Sequence, residues 1–270
     1  MARVVALASV WCGAHGLLAG RRAARRPVHW TPLRSVGSET EVEVFIESTD
    51  AFQVVFYANY VKFLEYGLGE RVFAVDGMKY RQPAVLGDTL VVATTDDGQQ
   101  TLSRKSDGAS LITTTRTSGS PVATVPAPPP SAPDGSVRLR ARHAARHDDL
   151  DGRDGSLSLD ACLRAFERSR STFLGGASEL AALLDGGTTV VVATVDGLRY
   201  APRPVRLGDV VDVSADVSLQ RTRIVFDQSV SVDGAPAAYA KITCVCVDTA
   251  RGRPCAPPPQ VLALFEDAAR

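Results

Sequence analysis

Val75-Asp76-Gly77-Met78-Lys79-Tyr80 recurs 120 residues later as Val195-Asp196-Gly197-Leu198-Arg199-Tyr200. Each copy then runs through a proline-containing stretch into Leu86-Gly87-Asp88 or Leu207-Gly208-Asp209, now at an offset of 121. A β-branched run follows each, Thr89–Thr95 or Val210–Val217. A loop or bulge absorbs a slip of one residue. Upstream, Val61-Lys62-Phe63-Leu64-Glu65 is echoed by Leu163-Arg164-Ala165-Phe166-Glu167, with about 18 more residues before the repeat core in the second copy. The chain therefore reads as two copies of one supersecondary unit.

Within a copy the order is strand, helix, then several strands. In the second, Val137–Ala144 reads as a strand, and Ser158–Arg170 carries Leu159, Leu163 and Phe166 at helical spacing. Thr188–Val195, Val210–Val217, Thr222–Val232 and Ala237–Val247 are strands, with Val232-Asp233-Gly234-Ala235 as a hairpin turn and Pro236 just outside the last strand. The first copy repeats this with a strand over Glu41–Ser48 and a helix over Phe56–Tyr66, whose Phe56, Tyr60, Phe63 and Leu64 form one apolar stripe. The fold class is α+β: an antiparallel sheet wraps around one central helix, because that buries the apolar faces of both.

The copies are separated by Ser118–Val137, where Pro126-Ala127-Pro128-Pro129-Pro130-Ser131-Ala132-Pro133-Asp134-Gly135 favours an extended connector. The first 38 residues hold six arginines, no lysine and no acidic residue. That composition suits a targeting segment, plastid favoured and mitochondrion the alternative. Its apolar run Val4–Gly20 is too diluted for a stable membrane span. The division expected is 1–38 targeting segment, 39–117 first domain, 118–136 linker and 137–270 second domain.

The chain has 270 residues, 45% of them apolar, and zero formal net charge. Such a chain buries a substantial core and carries no electrostatic footprint for a polyanion, so nucleic acid is not an expected partner. The five cysteines lack the spacing of a zinc or thioredoxin motif and are expected as free thiols, with Cys244 and Cys246 on one face of a strand.

Thr49-Asp50-Ala51-Phe52-Gln53-Val54-Val55-Phe56-Tyr57-Ala58-Asn59-Tyr60-Val61-Lys62-Phe63-Leu64-Glu65 resembles the active-site segment of the 4-hydroxybenzoyl-CoA thioesterase family of hot-dog proteins. The likeness runs from an acidic residue after the first strand, through a turn and an Asn-Tyr pair, to a helix ending in Glu. It implies two tandem hot-dog domains and an acyl thioesterase acting on acyl-CoA or acyl-carrier-protein thioesters, without a cofactor or metal. Thioester hydrolysis needs a carboxylate that attacks the carbonyl or activates water, together with donors for the developing oxyanion. The resemblance assigns the carboxylate to Asp50 and the donor to the backbone N–H of Tyr57 at the helix start, where free amides favour negative charge. Helix capping is the alternative role for Asp50. Gln53 stands where the family commonly has glycine and either crowds the carbonyl or offers it an amide. Asn59 positions substrate or caps backbone, and Glu65 is either catalytic or a solvated or arginine-paired residue.

The second copy, Asp148-Asp149-Leu150-Asp151-Gly152-Arg153-Asp154-Gly155-Ser156-Leu157-Ser158-Leu159, resembles the same segment with altered spacing. Asp151 precedes Gly155 by four residues, Asp154 is also available, and Glu167 is the helix glutamate. Ala161 and Cys162 replace Asn59 and Tyr60. The acidic loop lacks the spacing of a calcium-binding EF-hand. This site is expected to be degenerate, retained as the half that completes the first, so that the chain is a pseudo-dimer or a homo-oligomer of it. A non-catalytic acyl-binding or scaffold protein is the alternative. A hot-dog dehydratase fits less well, because His143 and His147 precede the second acidic turn and do not match a dehydratase site.

Overall fold

The computed structural model describes residues 39–50, 53–127 and 135–267. The expected targeting segment and the most proline-rich part of the linker lie outside them. In the first unit β1 (Glu39–Glu43) leads to α1 (Tyr60–Leu68), then to β2 (Ala74–Asp76), β3 (Met78–Tyr80), β4 (Thr89–Thr94), β5 (Gln100–Arg104), β6 (Ser110–Thr113) and β7 (Arg116–Ser118). In the second, β8 (Val137–Ala144) leads to α2 (Leu159–Phe173) and α3 (Gly176–Asp185). The chain continues through β9 (Thr188–Tyr200), β10 (Val210–Gln220), β11 (Arg223–Val232), β12 (Ala235–Asp248), β13 (Arg253–Cys255) and α4 (Pro259–Asp267).

The strands form one antiparallel sheet in the order β1-β4-β5-β6-β3-β9-β12-β11-β10-β8, with β2 and β7 paired beside its centre and β13 beside β12. The motif that opened the sequence reading is the join. Val75 pairs with Leu198 and Met78 with Val195, so each copy of the motif faces the other in inverted register about a pseudo-two-fold axis. Gly77 and Gly197 both adopt φ near +60° (59° and 58°) at that axis, a conformation that favours glycine. Gly77 N–H donates to Asp196 Oδ1 at 2.9 Å, and Arg199 donates to Asp76 at 2.8 Å.

One continuous core runs through both units, with Leu64 of α1 and Leu163 and Phe166 of α2 fully buried against the sheet. A buried glutamine in each unit ties helix to sheet. Gln100 Nε2 donates to Leu64 O at 3.0 Å, and Gln228 Nε2 donates to Phe166 O at 3.2 Å. The two glutamines open similar runs, Gln100-Thr101-Leu102-Ser103 and Gln228-Ser229-Val230-Ser231. Cys244 and Cys246 are free and buried, two apart on β12. Among the described residues no helix is long and apolar enough to cross a membrane.

Several boundaries differ from expectation. The strand expected over 41–48 ends at Glu43, and Ile46–Ser48 forms a 3-10 turn. The helix expected over 56–66 is a 3-10 turn, Tyr57–Asn59, continued by α1 to Leu68, because Val54 and Val55 are drawn into bridges with Val85 and Thr49. Gly69, at φ 69°, closes α1 by donating its N–H to Glu65 O and Tyr66 O. Pro236 lies inside β12, where the register breaks between Val230 and Ser231 and no regular ladder bond is demanded of it. The extra length before the second repeat core holds α3, and α4 near the chain's end was not foreseen.

Candidate active site

Two loops carry the acidic residues, and backbone hydrogen bonds give their correspondence. Phe56 N–H donates to Ser48 O, and Ser158 N–H donates to Asp149 O, each at the start of its unit's helical segment. Tyr57 therefore corresponds to Leu159, Val61 to Leu163, Glu65 to Glu167 and Leu68 to Arg170.

In the first unit Asp50 N–H donates to Val54 O at 2.9 Å and Gln53 N–H to Asp50 O at 3.0 Å, closing a tight reversal in front of the helix. Gln53 holds φ at 61°, the left-handed region that an L side chain adopts at a cost. Its counterpart Gly155 has φ 68°. Gln53 thus holds the backbone conformation that a glycine holds at the equivalent place in the second unit. Half-buried Asp50 sits at the mouth of this reversal. Asn59 is buried and donates Nδ2–H to Ser48 O at 3.0 Å, so its amide fastens the 3-10 turn to the segment before Asp50.

Tyr57 opens the 3-10 turn, and its N–H has no acceptor within that turn. The residue is held from outside its own helix. Its hydroxyl donates to Leu163 O of α2, and its carbonyl accepts from the Tyr80 hydroxyl at 3.2 Å. Its ring lies 4.9 Å from the Arg170 guanidinium. Burial pushes the phenol pKa up, opposed by Arg170. Arg170 is itself buried and donates to Gln228 Oε1 at 2.7 Å and to Glu167. Glu167 thus belongs beside Tyr57 of the first unit.

The second loop repeats the reversal with one extra residue: Asp151 N–H donates to Ser156 O at 2.7 Å and Gly155 N–H to Asp151 O at 2.8 Å. Ser158 caps α2, its Oγ accepting from Ala161 N–H at 3.2 Å. Asp151, 8% exposed, is gripped by two guanidinium groups. Arg71 Nη2 of the first unit lies at 2.9 Å, while Arg153 binds both carboxylate oxygens through Nε, at 2.9 and 3.1 Å, and through Nη2 at 2.7 Å. Arg71 Nη1 also reaches Asp154 at 2.9 Å. The hydrogen bonds from Arg153 hold Asp151 below the usual carboxylate range, and those from Arg71 do the same for Asp154. Across the groove, Arg153 pairs with Glu65 at 3.4 Å, and burial pushes the Glu65 carboxyl upward. A cavity of about 310 Å³ opens here, walled by Val61, Lys62, Tyr66, Leu159 and Tyr200.

The two helix glutamates therefore sit with the opposite unit's loop: Glu65 with Asp151, Glu167 with Tyr57. Reading along the sequence grouped them the other way, since nothing local reveals a site assembled across the pseudo-two-fold axis. Arg71 and Arg170 were missed altogether. Arg153 was visible inside the Asp151–Gly155 segment, and its alternation with aspartates was the available signal.

No protein-family model matches the sequence, and no curated protein matches it. Among solved structures, a putative oleoyl thioesterase from Lactobacillus plantarum matches 77% of this chain and 96% of its own, with a TM-score of 0.51 and 13% identity. A 1,4-dihydroxy-2-naphthoyl-CoA thioesterase from Synechocystis matches 49% of this chain and 98% of its own, at a TM-score of 0.43 and 15% identity. A Staphylococcus aureus protein in complex with CoA matches 49% and 84%, at 0.43 and 11%. Identities this low speak for fold alone. The first match covers more of the chain than either unit could supply. With the inverted strand pairing at its centre, the chain is two hot-dog units in tandem.

Proposed function

We propose that this protein hydrolyses acyl thioesters carried on CoA or acyl carrier protein, with Asp50 as nucleophile or general base and the Tyr57 N–H as oxyanion donor. The observation that supports the reading is the pair of backbone bonds from Asp50 N–H to Val54 O and from Gln53 N–H to Asp50 O, which sets half-buried Asp50 a few residues ahead of a helix start whose first amide, Tyr57 N–H, has no acceptor in its own turn. A carboxylate beside a helix N-terminus supplies both parts of the chemistry: a group to open the carbonyl and a dipole to hold the oxyanion. The second site is arranged differently. An aspartate bound by two arginines, with its pKa held down, is a poor base and a poor nucleophile. Turnover is therefore assigned to the first site.

The test is thiol release from a panel of acyl-CoA and acyl-carrier-protein thioesters, with Asp50→Asn as control. Turnover that the substitution leaves unchanged removes Asp50 from the mechanism. Tight binding of thioesters without turnover favours an acyl-binding role, a reading to which the occupied space around Tyr57 lends some weight.

A further inference from the structure

The two sites differ in what fills the space between α1 and α2. At the second, Leu159 stands at the helix start, and Val61, Lys62 and Tyr66 of α1 wall an open cavity of about 310 Å³. At the first, the corresponding residue is Tyr57, and its phenol crosses to Leu163, the counterpart of cavity-wall Val61, and bonds to its carbonyl. The ring is backed by the Arg170 guanidinium at 4.9 Å and by Tyr80 at 6.3 Å, and its hydroxyl is tied to α2, so three contacts hold it across the space between the helices. Arg170 and Glu167 then make the inner end of this space charged, which disfavours an alkyl chain beyond the ring.

We infer that the Tyr57 side chain is a plug that sets acyl length at the first site, restricting it to short acyl groups. This rests on the thioesterase reading above, in which the thioester carbonyl meets the Tyr57 N–H and the acyl chain must start beside the same residue's side chain. The second unit takes part in the selection, because Leu163 and Arg170 of α2 hold the plug.

The test uses CoA thioethers, which bind without being cleaved, with ethyl, butyl, hexyl and octyl chains. They are titrated calorimetrically into the full chain carrying Leu159→Tyr, which closes the second cavity and leaves the first site to report. Affinity should stop rising after the shortest chains. Adding Tyr57→Leu, which copies the second unit's residue, should let affinity climb by about fourfold for each further methylene buried. The octyl-to-ethyl ratio should then rise at least about tenfold, while Tyr57→Phe, which keeps the ring, should retain the short-chain profile. Parallel profiles for Tyr57 and Tyr57→Leu overturn the inference, as does binding of no analogue to either protein. A shift in length preference without hydrolysis of any thioester by the wild-type chain rejects the thioesterase reading and leaves the plug standing. Hydrolysis without the shift does the reverse.

Discussion

Asp50 and Asp151 occupy the same place in their units, after the same short turn and before the same helix, yet their surroundings have opposite characters. Asp151 is locked by Arg71 and Arg153 and faces an open cavity. Asp50 sits beside a helix start whose adjoining space is filled by Tyr57, with a buried arginine behind it. A fold with pseudo-two-fold symmetry offers two equivalent places for chemistry, and here one holds a carboxylate bound by two arginines beside an open cavity while the other holds a half-buried carboxylate ahead of a helix start occupied by Tyr57. The lesson is that cavity volume and the ion pairing of the carboxylate are separate properties of a site, and the second unit combines an open cavity with an arginine-bound aspartate.

The sharpest way to break this comparison is to neutralise each aspartate in turn. Asp50→Asn should lower kcat by about 100-fold or more, the usual worth of a positioned base or nucleophile. Asp151→Asn should change it by less than about tenfold. Steady-state thioester hydrolysis decides, and equal losses would mean that both sites turn over. Next comes Arg170, which has no counterpart in the first unit, where Leu68 stands. Arg170→Met strips Gln228 Oε1 and Glu167 of a partner. Because Glu167 keeps some contact with solvent, the loss should be about 2–3 kcal/mol, below the figure for a fully buried pair. Urea unfolding measures it, and a neutral result would show that the arginine contributes nothing to stability.

A smaller effect separates the loops themselves. Gly155→Gln should cost about 1–2 kcal/mol, the strain of an L side chain in the left-handed region. Gln53→Gly should return up to about 1 kcal/mol, less than the strain because glycine also gains freedom in the unfolded chain. The same unfolding experiment reads both, and a destabilising Gln53→Gly would show that the Gln53 side chain makes a contact worth more than its backbone costs. The smallest effect is in acid. Asp151 and Asp154 have folded pKa values below the unfolded value of about 3.9. Their stabilisation is therefore full above roughly pH 4 and is lost as pH falls through the folded values. Glu65, raised by burial, acts in the opposite sense, its contribution fading as pH rises through its folded value. Arg71→Gln should flatten the acid limb of stability, followed as the urea midpoint across the acid range. Because Arg153 still holds Asp151, the change should come mainly from Asp154, and an unaltered limb removes Arg71 as the group that holds Asp154.

Much of this architecture could be read before any coordinates. The Val75–Tyr80 repeat pointed to two units, and the β-branched runs located the five long strands of the second, with β9 and β10 running five and three residues further than expected and β13 not expected, because long alternating segments leave little choice of period. The first unit was harder. Its strands are short, and the segment after Glu43 breaks into turns and isolated bridges that no periodicity announces. Asp50, Tyr57, Gln53 and Asn59 could be named because the segment Thr49–Glu65 resembles a known active-site segment. What could not be read was anything crossing the axis: Arg71 on Asp151, Tyr57 on Leu163, and the exchange of Glu65 and Glu167 between sites. Sequence proximity carries no information about such partners, and the inverted pairing of β3 with β9 creates all of them at once.

That pairing has a further effect, on how the protein can change. In a dimer of identical chains every substitution appears twice, and dilution can pull the subunits apart. Here a substitution lands once, so a tyrosine at one helix start can coexist with a leucine at the other. The connector keeps the partners at a high local concentration regardless of how little protein is present. Specialisation of one half and stability of the assembly then cease to compete.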